Sequence, residues 1–143
     1  MDELSVYYAK RAAEYEQIYA RPDRRRGVEL LGATLPGLFA GFWWSHVPLE
    51  RLDAFLRGAV AAVAPGALLV FADNLYIEGS STPASRTDAP GNSYQTRSLN
   101  DGSRHEVLKN FPAEPELRAR VAPHGANFRY QALDCYWLMS FTA

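Results

Sequence analysis

The 143-residue sequence predicts an α/β domain. A strand-like run, a helix of regular apolar spacing, a Pro-Gly stop and a second strand-like run follow one another over residues 38–72. That order makes a βαβ unit with a right-handed crossover. Further on, a helix signal over 111–125 leads into an aromatic, β-prone end. At 48% hydrophobic and 22% charged, the composition is that of a folded globular chain. A chain of this size typically buries about 68–70% of its unfolded surface, enough for one core and one domain spanning 1–143.

The elements follow in order. Residues 3–20 place Leu4, Tyr8, Tyr15, Ile18 and Tyr19 on one helical face. Pro22 interrupts this pattern and suits the first turn of a second helix, with Val28, Leu31 and Leu35 together before Pro36-Gly37 stops it. These are the N-terminal helices of 1–36. The aromatic run 38–46 is short and flanked by prolines, which favours a buried strand over a helix. Pro48 opens a helix in which Leu49, Leu52, Phe55, Leu56, Ala59, Val60 and Val63 recur at three and four. Glu50 and Asp53 lie near the positive end of its dipole, and Pro65-Gly66 ends it. Residues 67–72 form a continuous apolar run, as in a strand covered on both faces.

Residues 73–110 change character and are rich in Gly, Ser, Thr and Asn. A segment this long in a compact domain reads as a lid, with a small hairpin turning at Asn100-Asp101-Gly102. In 111–143, Pro115 and Glu116 fit a first helical turn and Gly125 a helix end. Two strands should follow, broken near Asp134-Cys135.

Several words in the chain are more specific than its pattern. YYAKRAAEYEQIYARPDR, FAGFWWSHVPLERLDAFLRGAVAAVAPGALLVFADN, EGSSTP, HEVLKNFPAEPEL and a late YWL resemble a group of bacterial small-molecule methyltransferases of the class I, S-adenosylmethionine-dependent type. The likeness covers most of residues 5–140. It implies a truncated Rossmann-like methyltransferase fold, holding the strands and helices of the second half plus the N-terminal helices. Two βαβ units should stand between the Tyr-rich helix and the run 38–46, at about 30 residues each. They would carry the glycine-rich cofactor loop and the acid that holds the ribose. Here a single short helix takes their place, and none of the ten glycines forms a G-x-G pair.

Two consequences follow. S-adenosylmethionine is the cofactor that the resemblance implies, yet without its loop no cofactor is expected to bind. Methyl transfer is then lost, and the chain persists as a dimeric fold remnant or a small-molecule-binding protein. An active methyltransferase with a site rebuilt across a dimer, or a cofactor-independent enzyme using His46, are the alternatives. Loss of the first three strands would also leave the strand 38–46 at an edge, and long apolar edges template pairing. A twofold homodimer through that strand, its sheets joined or elements swapped, is expected.

By position, the resemblance places Trp43, Trp44, Ser45 and His46 at the carboxyl end of a strand, the ligand side of an open α/β sheet. His46 suits a general base or a substrate hydrogen bond, and equally a helix-start residue with a satisfied ring. Tyr7 and Tyr8 match a helix that closes over ligands, or simply pack. Asp73 and Asn74 end the next strand and either bind substrate or start a turn. His105, beside Glu106, reaches a substrate from the lid or stays solvated. Tyr136 and Trp137 read as core, as does Cys135.

Charge and composition narrow the partners. A net charge of −1 gives no global attraction to nucleic acid or an anionic membrane. The single cysteine offers no internal disulfide, and no His/Cys cluster suggests a metal. With a charged start and no apolar run long enough to span a bilayer, the expectation is a cytoplasmic protein.

Overall fold

A computed structural model of the protein describes residues 35–143. The helices expected within 1–36, with Tyr7 and Tyr8, lie outside the described residues. Strand β1 (Gly37–Gly41) leads through two short 3-10 turns, Trp44–His46 and Leu49–Arg51, into α1 (Leu52–Ala61) and then β2 (Leu68–Asn74). β1 and β2 pair in parallel from Gly37 opposite Leu68 to Gly41 opposite Ala72. This is the βαβ unit that the apolar spacing predicts.

Strands β3 (Arg86–Thr87), β4 (Ser93–Ser98) and β5 (Arg104–Leu108) form a separate antiparallel sheet. The turn at Asn100-Asp101-Gly102 joins β4 to β5, with Gly102 at a φ of 83°. Helix α2 (Glu114–Val121) follows, then β6 (Ala126–Ala132) and β7 (Tyr136–Thr142). The main sheet has the order β1-β2-β7-β6. β7 is antiparallel to both of its neighbours.

Both helices cover one face of this sheet. Leu69 and Phe71 of β2 stand opposite Phe141 and Met139 of β7. They pack with Leu52 and Leu56 of α1 and Leu117 and Val121 of α2 into one buried cluster. Rings fill its centre, with Phe71 stacked on Phe141 at 6.0 Å and Trp44 edge-on to Trp137 at 6.1 Å. Burying each such side chain contributes roughly 1.5–3 kcal/mol. α1 and the segment after α2 are also tied by His124 Nε2, 2.7 Å from Asp53 Oδ1.

The structure corrects four expectations. The strand expected over 38–46 stops at Gly41. Phe42 still donates to the Ala72 carbonyl at 2.7 Å, but its φ of 59° turns the chain out of the ladder. The run 67–72 is not covered on both faces among the described residues. β2 alternates instead, with Leu69 and Phe71 fully buried and Leu68 48% exposed. Cys135 is exposed, because the turn between β6 and β7 carries it outward. Tyr136 is 44% exposed, and of that pair only Trp137 joins the core, because successive strand residues face opposite sides.

Gly125 ends α2 for a reason other than backbone freedom. A Cβ there would lie 2.3 Å from the Thr142 carbonyl oxygen and 2.5 Å from the Phe141 ring. The close approach of β7 leaves room only for hydrogen.

Candidate functional site

The carboxyl ends of β1 and β2 meet at a rim, and the turn after Phe42 shapes it. Because Phe42 leaves the strand in a left-handed conformation, which a bulky residue seldom adopts, Trp44–His46 folds back over the end of β2. The Ser45 amide then donates to Asp73 Oδ2 at 2.9 Å. Ser45 and Asp73 are both fully buried.

Lys109, just after β5, reaches into this rim. Its ammonium donates to Asp73 Oδ1 at 3.0 Å, Ser45 Oγ at 2.7 Å and Asn74 Oδ1 at 3.0 Å. An ammonium has three protons, and these partners use all of them. Burial pushes the Asp73 carboxyl up, but the amides of Ser45 and Asn74, the Ser45 hydroxyl and Lys109 outweigh it. The net effect holds Asp73 below the ordinary carboxylate range.

Outside this buried cluster lies a cleft of about 330 Å³ between the rim and the second sheet. Asn74, Lys109 and Tyr136 form one wall, and Ser81, Gln95 and Arg97 the other. Arg97 donates to Gln95 Oε1 at 3.2 Å, and buried Gln95 donates onward to the Thr82 carbonyl. Aromatic rings make the lip beside it. Phe42 meets Tyr136 edge-on at 5.7 Å, and Trp43 is 61% exposed.

Of the residues singled out by sequence, Trp43, Asp73 and Asn74 gather at this rim. Trp44 sits there too, but its ring is buried against Phe55, Phe71 and Trp137. His46 faces the inserted segment, with Nδ1 2.7 Å from the Leu108 carbonyl. A carbonyl only accepts, so Nδ1 carries the proton and Nε2 is left as the acceptor of the neutral ring. His105 lies on β5 opposite Arg97, its Nε2 2.7 Å from Ser103 Oγ. Glu106 is held by the guanidinium of Arg86 through two of its nitrogens.

Lys109, Gln95, Arg97, Asn92 and Asn110 were not anticipated. Asn92 is fully buried, accepts the Leu49 amide at 2.7 Å and donates to Glu50 and Asp88. Asn110 donates its backbone amide to the Ser45 carbonyl at 2.8 Å. The inserted segment is therefore fastened to the start of α1 and to the rim. One signal was present: a lysine interrupts the apolar stretch VLKNF.

Among the described residues no three His, Cys, Asp or Glu side chains group to hold a metal, and no helix is long and apolar enough to cross a membrane. Neither a protein-family model nor a curated protein matches the chain. Solved structures do share its fold. DhpI in complex with SAH superposes with a TM-score of 0.56 at 23% identity, over 77% of this chain and 50% of that one. DhpI with SAM and HEP gives a TM-score of 0.58 at 24% identity, over 73% and 49%. CalS10, a SAM-bound amino pentose methyltransferase of Micromonospora echinaspora, gives 0.50 at 17% identity, over 78% and 60%. The chain has the α/β fold of the class I S-adenosylmethionine-dependent methyltransferases, in a partial form spanning about half the length of the DhpI chains it matches.

Proposed function

We propose that this chain is a shortened methyltransferase-like protein that has lost S-adenosylmethionine binding and persists as a small-molecule-binding protein. The observation that carries the reading is Lys109, whose ammonium fills the rim between β1 and β2 and is fully engaged there. Small polar molecules have their place beside it, in the cleft walled by Asn74, Arg97 and Tyr136.

S-adenosylmethionine fits the described rim poorly. Its binding in a Rossmann-like fold relies on free backbone N–H groups in a glycine-rich turn after a strand. The resemblance places that turn in the βαβ units that would stand before β1, and none of the ten glycines forms a G-x-G pair. At the rim, the Ser45 amide is held by Asp73 and the Leu49 amide by Asn92, while those of His46, Val47 and Arg51 donate to nearby carbonyls. No step of methyl transfer is therefore assigned to these residues.

Calorimetric titration with S-adenosylmethionine and S-adenosylhomocysteine tests the loss directly. No saturable heat is expected with either compound. Micromolar binding would overturn the proposal in favour of a working methyltransferase with a site completed across two copies. A second reading, cofactor-independent proton transfer, is favoured by one observation, the proton-accepting Nε2 left on His46 by its Nδ1 contact. A pH–rate profile lost in His46→Gln would identify that chemistry.

A further inference from the structure

A second cleft, of about 370 Å³, opens on the helix-covered side of the molecule, between the entry to α1, the start of β4 and α2. Its size lies within the range of small-ligand pockets, roughly 300–1,000 Å³. The floor is apolar, made by Trp44, Val47, Leu52 and Leu117, all buried. Polar groups deeper in the cleft have internal partners. Asn110 accepts the Ser93 amide at 2.8 Å, and its own amide nitrogen is 3.1 Å from Asn92 Oδ1.

Among the described residues, two charged side chains line this cleft, Glu116 and Arg120, four residues apart on α2. They lie on the same helical face, yet no ion pair forms between them, whereas Glu114 and Arg118 pair at 2.6 Å on the same helix. One Glu116 oxygen accepts the Ala113 amide at 2.8 Å. Its other oxygen and the Arg120 guanidinium have no partner among the described residues. A monoanion drawn to Arg120 would also face the Glu116 carboxylate, and a monocation the reverse. A ligand bearing both charges next to an apolar group satisfies the whole lining.

We propose that this cleft binds a small zwitterion with an apolar side chain, the chemistry of a free aromatic or branched amino acid. The carboxylate pairs with Arg120, whose planar fork suits bidentate contact. The ammonium faces Glu116, and the apolar side chain lies among the part-exposed Leu49, Phe111 and Pro112, above the buried floor.

The test is titration of the full chain with L-phenylalanine, 3-phenylpropionate and phenethylamine, followed by amide chemical shifts. Saturable shifts in α2 and around Trp44 are expected with L-phenylalanine, at least about tenfold tighter than with either single-charge analogue. Arg120→Gln should weaken L-phenylalanine by about tenfold or more. Ala119→Leu, an exposed change that narrows the cleft, should weaken all three compounds. The proposal is overturned if L-phenylalanine gives no saturable shift, if an analogue binds as tightly, or if Arg120→Gln has no effect. Shifts confined to Arg97, Gln95 and Tyr136 would assign the ligand to the other cleft and overturn it as well.

Discussion

Asp73 and Lys109 set the chemistry of the rim, and their burial makes the pair costly to break. Removing one partner from a buried ion pair typically destabilises by about 3–5 kcal/mol, because the other charge is left without compensation. Asp73→Asn should lower stability by that order, read from the urea midpoint. Asp73→Leu combined with Lys109→Met should recover much of the loss, since replacing both charges by apolar groups is often neutral. The sign of the pH effect follows from Asp73 being held below its ordinary value. Its contribution is complete above the unfolded carboxylate pKa of about 3.9 and is lost as pH falls through the lower folded value. Acid titration of the wild type and Asp73→Asn should therefore give stability curves that converge only in the acid range. Gly125→Ala tests a different constraint. Its methyl would collide with backbone at Thr142, so a loss of several times the usual surface-substitution effect of about 0.5 kcal/mol is expected in thermal melts.

The elements differ in how they declare themselves. α1 and β2 were legible because apolar spacing reports burial directly; α1 falls within the predicted span, and β2 runs two residues past the predicted end at 72. The end of β1 was not, since nothing local in GFWWSH announces that Phe42 will turn left-handed while Asp73, 28 residues from Ser45, captures the Ser45 amide. The same reason hid Lys109, whose partners lie 35 to 64 residues away. Asp73 and Asn74 were singled out because strand ends in open sheets face ligands, whereas Gln95, Asn92 and Asn110 sat among many similar polar residues in the inserted segment. Asn92 is the fastening of that segment, and its loss leaves the Leu49 amide without an acceptor. Asn92→Ala should cost about 1–3 kcal/mol and raise proteolytic cleavage within 76–91, measured by limited proteolysis under native conditions. Unchanged cleavage would show that the β4/β5 sheet holds the segment without Asn92.

At the scale of the molecule, one face of the main sheet is covered by both helices and the other is open among the described residues. We propose that a second copy of the chain packs at this open side, next to β1, which has no strand beyond it in the sheet among the described residues. Ser45 is fully buried and cannot take part. The contact narrows to Phe39, Phe42 and Trp43, exposed by 69%, 53% and 61%. Light scattering at micromolar concentration should give the mass of a dimer, and Phe39→Glu should shift it toward monomer. A wild-type monomer would sink the idea.

The position of β7 has a consequence for how the chain is made. Residues 136–142 occupy the middle of the main sheet, bridging β2 and β6, and supply Trp137, Met139 and Phe141 to its core. While a ribosome still shields them, β2 and β6 have no shared neighbour and the helices have half a floor to pack on. Until this stretch joins them, β1 and β2 can pair, but β2 lacks its antiparallel neighbour and β6 its place in the sheet. Folding then depends on contacts distant in sequence, the kind that close slowly.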